Sequence, residues 1–273
     1  MAFWDKISSR GNVEDRRSFG PAAGGLGIGG LLLVMAFTYL GGGNLSDVLP
    51  SILNTVQSSQ PTQNTAQFDG ADSYEVFTST VLGSTNDTWT AQFASRNRTY
   101  HPPKLVLFRG STDSACGGAT SDVGPHYCPL DKTIYLDETF FDELTSRFGA
   151  KGGDVAQAYV MAHEVGHHVQ NELGILDQVN RDGSSAASIK SELQADCYAG
   201  LWANSIKDQG VLEPGEIVEA LDAAAAVGDD RIQSKVTGRI TPETWTHGSS
   251  ADRTKWFNIG YTAGTIEACN TFQ

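Results

Sequence analysis

Two histidines four residues apart enclose a glutamate in His163-Glu164-Val165-Gly166-His167. The surrounding stretch, AYVMAHEVGHHVQNELG, repeats apolar residues at helical spacing. On a helix, residues four apart share a face, so both imidazoles can reach one point in space. H-E-x-x-H in a helix reads as a zinc site, with the glutamate beside the ligands acting as general base.

A catalytic zinc takes three protein ligands and keeps one position open. The extended motif with a third histidine is absent, since Gln170 and Leu173 stand where its glycine and histidine belong. Glu172 lies half a turn off the metal face, so the third ligand must come from elsewhere. SELQADCYAG offers Glu192 and Asp196, four apart, with Ala195 and Ala199 small enough to let two helices approach. Glu192 is read as the ligand and Asp196 as the acceptor of a histidine N–H, with the reverse assignment as the alternative. One Zn2+ per chain would activate a water there. Glu164 would accept its proton and deliver it to the leaving amine. His247, in THGSSADR, is the candidate donor to the oxyanion, and Arg253 either orients it or meets a carboxylate.

These side chains need a scaffold, and the pattern around them is α+β. KLVLF (104–108) and TIYLD (133–137) read as strands. Helices are predicted over 72–93 with a connection, 154–173, 188–209, from Pro214 to about Val227, and from Ser249 or Ser250 towards Cys269. The expectation is a small sheet followed by a mainly helical body.

The chain has 273 residues and a formal charge of −13, with Lys+Arg 19 against Asp+Glu 32. That acidity disfavours nucleic acid as a partner. The charge is unevenly placed: residues 18–46 carry none, and the basic Lys6, Arg10, Arg16 and Arg17 precede them. Residues 22–40, AAGGLGIGGLLLVMAFTYL, are long enough to span a membrane nearly completely as a helix. By the positive-inside rule, 1–19 is then a cytoplasmic leader and 20–42 one N-terminal transmembrane helix. A flexible linker, 43–66, would lead to an extracytoplasmic or periplasmic domain, 67–273, on the cytoplasmic (inner) membrane. A cleaved secretory signal is the alternative, with Val34-Met35-Ala36 a poor cleavage site.

Cys116, Cys128, Cys197 and Cys269 all follow the apolar run and allow three pairings. Cys116 with Cys128 closes a short glycine-rich loop, and Cys197 with Cys269 ties a mid-chain helix to the C-terminal one. Two disulfides are favoured over a zinc knuckle, since no C-x-x-C spacing occurs.

Read together, the chain resembles the YpfJ-like family of bacterial neutral zinc metallopeptidases. The likeness rests on GNVEDRR, CGGATSDVGPHYCPLDKTIYLD, AYVMAHEVGHHVQ, SELQADCYAGLWA, EALDAAAAVGDDRIQ, THGSSADRTKWFNIGY and CNTF. The family pattern has phenylalanine where this chain has His126 and Trp245. The resemblance implies a zincin-like domain whose distal E-x-x-x-D helix supplies Glu192 and Asp196, with a late histidine at His247. It further implies an edge strand that holds a peptide or protein substrate extended by β-addition, for which TIYLD, with Tyr135, is the expected strand. His126 and Tyr127 would touch substrate at the cleft rim. The function implied is a membrane-anchored zinc endopeptidase. A catalytically silent zinc-stabilised scaffold at the cell envelope is the competing reading, and nothing in the sequence specifies an oligomeric state.

Overall fold

The structure, a computed structural model, describes residues 1–17, 66–67, 72–213 and 215–273. The expected transmembrane helix, nearly all of the linker and Pro214 lie outside the described residues. Among the described residues, no helix is long and apolar enough to cross a membrane.

A five-stranded mixed sheet forms one layer. In chain order its strands are β1 (Val13–Asp15), β2 (Ala66–Gln67), β3 (Lys104–Phe108), β6 (His126–Cys128) and β7 (Thr133–Asp137). They stand in the order β2-β1-β3-β7-β6. β1, β3 and β7 run parallel, while β2 and β6 are antiparallel edges. A separate hairpin joins β4 (Ser111–Ser114) and β5 (Gly117–Thr120).

Alternation along β3 and β7 gives the sheet two apolar faces. Leu105, Leu107, Ile134 and Leu136 join the main helical core. Val106, Phe108 and Tyr135 instead meet Ala119 of β5 and the disulfide-bonded Cys128. Both strands are thus buried on both sides, which is why KLVLF reads as a continuous apolar run.

The helical layer comprises α1 (Ser73–Ala94), α2 (Phe140–Ser146), α3 (Asp154–Glu172), α4 (Ile175–Asp182), α5 (Ser185–Ile206), α6 (Ile217–Ala226), α7 (Asp229–Val236) and α8 (Ser250–Ala263). Asp72 caps α1 and Ser249 caps α8 through side chains that accept backbone N–H bonds. α8 stops at Gly264, in the left-handed conformation, short of Cys269. α7 was not expected; its sequence, DDRIQSKV, has little apolar surface to signal it.

Both favoured disulfides are present, Cys116–Cys128 and Cys197–Cys269. The second ties α5 to the C-terminal turn across 72 residues of sequence.

Two expectations change. β7 lies between β3 and β6, so TIYLD is an internal strand and the edge on that side is His126–Cys128. Three residues containing a disulfide cysteine carry too little alternation to read as a strand. The leader, expected to lie apart from the domain, belongs to the same fold through residue 17: β1 pairs with β3, Val13 opposite Leu105 and Asp15 opposite Leu107.

Candidate metal centre

α3 carries His163, Glu164 and His167, and α5 crosses it closely. A Cβ on Gly166 would lie 3.0 Å from the Ala195 Cα, so glycine at that point of the motif sets the helix separation. Across this contact Glu192 meets both imidazoles. Its Oε2 is 3.2 Å from His163 Nε2 and its Oε1 is 3.4 Å from His167 Nε2. One ligand atom from each of His163, His167 and Glu192 falls within 4.8 Å of the other two. The two rings are perpendicular, with centroids 4.8 Å apart. Two imidazole nitrogens and a carboxylate converging on one point fit a zinc ion chemically.

Each ring's other nitrogen is fixed. His163 Nδ1 is 2.9 Å from Asp196 Oδ1, and Asp196 also accepts from Tyr159 Oη at 2.5 Å and Arg253 Nε at 2.7 Å. His167 Nδ1 is 2.9 Å from Gln170 Oε1, and Gln170 Nε2 donates to the Ser191 carbonyl at 2.7 Å. Such partners hold the tautomers that leave Nε2 free for a metal. Asp196 itself is fully buried and turned away from the cluster centre towards Arg253 and Tyr159.

Without a cation, protons do the neutralising. Burial disfavours charge on His163, but Asp196 and Glu192 outweigh it and push the imidazole up to about 10. Burial alone would raise Glu192; His167 and His163 reverse this and hold the carboxyl well below the carboxylate range. A metal entering here must therefore displace protons, and its affinity rises with pH. Glu164 moves the other way: burial pushes its carboxyl up, against the pull of His167 and His163.

The cluster opens on a cavity of about 600 Å³. Glu164 lines it, as do His126, Tyr127, His247 and Arg253, among apolar walls that include Phe140 and Leu176.

A match to the family described as "Putative neutral zinc metallopeptidase" runs over residues 2–272. The chain belongs to this family. One relative covers it almost end to end. The chain is 43% identical to "Uncharacterized protein YpfJ" of Escherichia coli (strain K12) over 286 residues, 98% of each chain. It is 51% identical to "Uncharacterized protein Rv2575" of Mycobacterium tuberculosis (strain H37Rv) over 185 residues, 63% of each chain. No solved structure matches it.

The remaining site residues of this metallopeptidase-family chain divide. His247 lies on the cavity wall, and its Nδ1 is 3.2 Å from Asp229 Oδ1. The other oxygen of Asp229 accepts the backbone N–H groups of Thr246, His247 and Gly248. Arg253 does not touch His247 in this arrangement; it is buried against Asp196. Tyr127 turns its hydroxyl to His168 Nδ1 and Asn171, which makes it a tie between β6 and α3. Tyr135 is on the far face of the sheet, donating to Asp131, so the cleft-side role expected for it fails on strand alternation.

Three polar partners went unread in the sequence: Tyr159, Gln170 and Asp229. Gln170 carried a signal, since it follows His167 by three and shares its helix face. Tyr159 had the same one, four residues before His163. Asp229 had none, being brought in by a short helix of distant sequence.

Proposed function

We propose that this chain is a zinc-dependent endopeptidase, attached to the membrane through the apolar run 22–40 and acting outside the cytoplasm. What carries the reading is the buried Glu164 beside a two-histidine, one-carboxylate donor set at the mouth of a cavity. His163, His167 and Glu192 would hold the zinc, and the family's description supports that metal. Zinc in such a site supplies Lewis acidity and a water of lowered pKa. Extracytoplasmic action is supported by the two disulfides.

The chain's own groups then have distinct tasks. Glu164, in surroundings that raise its proton affinity, accepts a proton and returns it to the leaving amine. His247, held at Nδ1 by Asp229 and lining the cavity, would offer its Nε2–H to the oxyanion developing on the scissile carbonyl. Among the described residues β6 has a neighbour on one side only, and that edge can take an extended peptide as an added strand across the cavity. A sheet edge above the H-E-x-x-H helix, with the third ligand on a following helix, supports a zincin-like plan.

The test is steady-state hydrolysis of a peptide library by the zinc-loaded protein. His247→Ala should lower kcat about 10²–10³-fold with KM little changed. Asp229→Asn, which acts only through His247 and its loop, should give a smaller fall in kcat. An unchanged kcat in His247→Ala would remove the oxyanion role.

A further inference from the structure

The basic leader reads, by charge alone, as a segment left behind in the cytoplasm, yet its residues are built into the domain. Leu105 N–H donates to the Asn12 carbonyl at 3.0 Å and Arg16 N–H to the Leu107 carbonyl at 2.7 Å, so β1 completes the hydrogen bonding of β3. Val13 is 1% exposed and Ile7 6% exposed, both within the main core. The Trp4 ring stacks on Trp202 of α5 at 6.4 Å.

The contact reaches the metal helix. Asp154, the first residue of α3, accepts from the Ala2 backbone N–H at 2.9 Å and from Trp4 Nε1 at 2.8 Å. On α1, a Cβ at Gly83 would lie 2.5 Å from the Arg10 backbone nitrogen. Glycine in a helix interior costs about 1 kcal/mol relative to alanine. Here its missing side chain is the space through which the leader passes.

The charges that suggested a cytoplasmic flank are also engaged within the domain. Arg17 is 8% exposed, and its guanidinium is 2.8 Å from both Asp15 and Glu138, with Asp72 at 3.5 Å. Arg16 pairs with Glu14 at 2.7 Å. The positive-inside rule describes basic flanks exposed to the cytoplasm, and these two arginines are not such flanks.

Asp15 of β1 pairs with Ala66 of the antiparallel β2, and Arg17 follows β1 by two residues, so the connection from 18 to 65 starts and ends close together in the fold. That connection contains a single apolar run of 19 residues, 22–40, followed by the polar stretch 51–65. One crossing would put the two ends on opposite faces of a bilayer, and the second crossing needed to bring them back has no apolar sequence to make it. We propose that residues 1–17 are an integral strand of the metallopeptidase domain, on the same side of the membrane as the metal centre, so that the apolar run attaches the protein without carrying the chain across. This stands independently of the peptidase reading.

Membrane-impermeant maleimide labelling of the full-length protein in intact and permeabilised cells tests it. Ser8→Cys in the leader and Asn258→Cys on α8 both replace exposed residues. Matching patterns are expected: both react in intact cells, or both only after permeabilisation. Reaction of one in intact cells and of the other only after permeabilisation would overturn the proposal. A second readout does not depend on labelling. Val13→Asp puts a carboxylate into the core and should lower the Tm of the purified full chain by roughly 5–10 °C. An unmoved Tm would show β1 undocked and would equally overturn it.

Discussion

Glu164→Gln should retain zinc and lose hydrolysis, with kcat down about 10²–10⁴-fold, the usual contribution of a positioned acid–base group. Gln is nearly isosteric, and neither imidazole hydrogen-bonds to Glu164, so the donor set of His163, His167 and Glu192 keeps its geometry. What goes is a carboxylate whose proton affinity burial has raised, the property a group needs to take a proton and give it back near neutrality. Zinc content by elemental analysis, beside kcat on the same sample, separates this from a loss of metal. If Glu164→Gln hydrolysed peptides at the wild-type rate, the carboxylate would not be the base.

The second large effect is on stability. Asp196 is fully buried between His163, Tyr159 and Arg253, and Arg253 is itself only 3% exposed. Breaking a buried ion pair from one side leaves an uncompensated charge and typically costs about 3–5 kcal/mol. Asp196→Ala should therefore destabilise the metal-free protein by about that much in urea denaturation. It should also weaken zinc binding about 10–100-fold, because His163 loses the acceptor that orients it. Replacing both partners, Asp196→Leu with Arg253→Met, should recover much of the stability but not the zinc affinity. Asp196→Ala costing under about 1 kcal/mol would mean that Arg253 finds another partner or water.

The parts of this site that lie on one helix were legible in sequence, because helical spacing alone puts His163 and His167 on one face and Glu192 with Asp196 on another. Gly166 and Ala195 could be read the same way, since small residues are what a close crossing needs. The outlying parts were not. Asp229 reaches His247 only through the packing of α7 beside the start of α8, a juxtaposition no local pattern encodes. Tyr135 was placed at the cleft on an expected edge strand and Tyr127 at its rim; strand order and period-2 alternation turn the Tyr135 hydroxyl to Asp131, while Tyr127 lines the cavity with its hydroxyl turned towards His168 and Asn171. The leader's pairing with the domain was hidden for a different reason. Four basic residues before an apolar run obey a rule about topology, whereas Val13, Glu14 and Asp15 obey one about β3, and three residues of strand cannot be seen beside so strong a charge signal.

In the proposed function, one zinc on His163, His167 and Glu192 makes this chain a peptidase. The most direct test is peptide hydrolysis by the chelated protein as zinc is titrated back. Activity should rise in proportion to zinc and reach its plateau at one equivalent per chain. Binding of one equivalent with no hydrolysis of any peptide in a diverse library would contradict it and identify the site as a structural zinc centre.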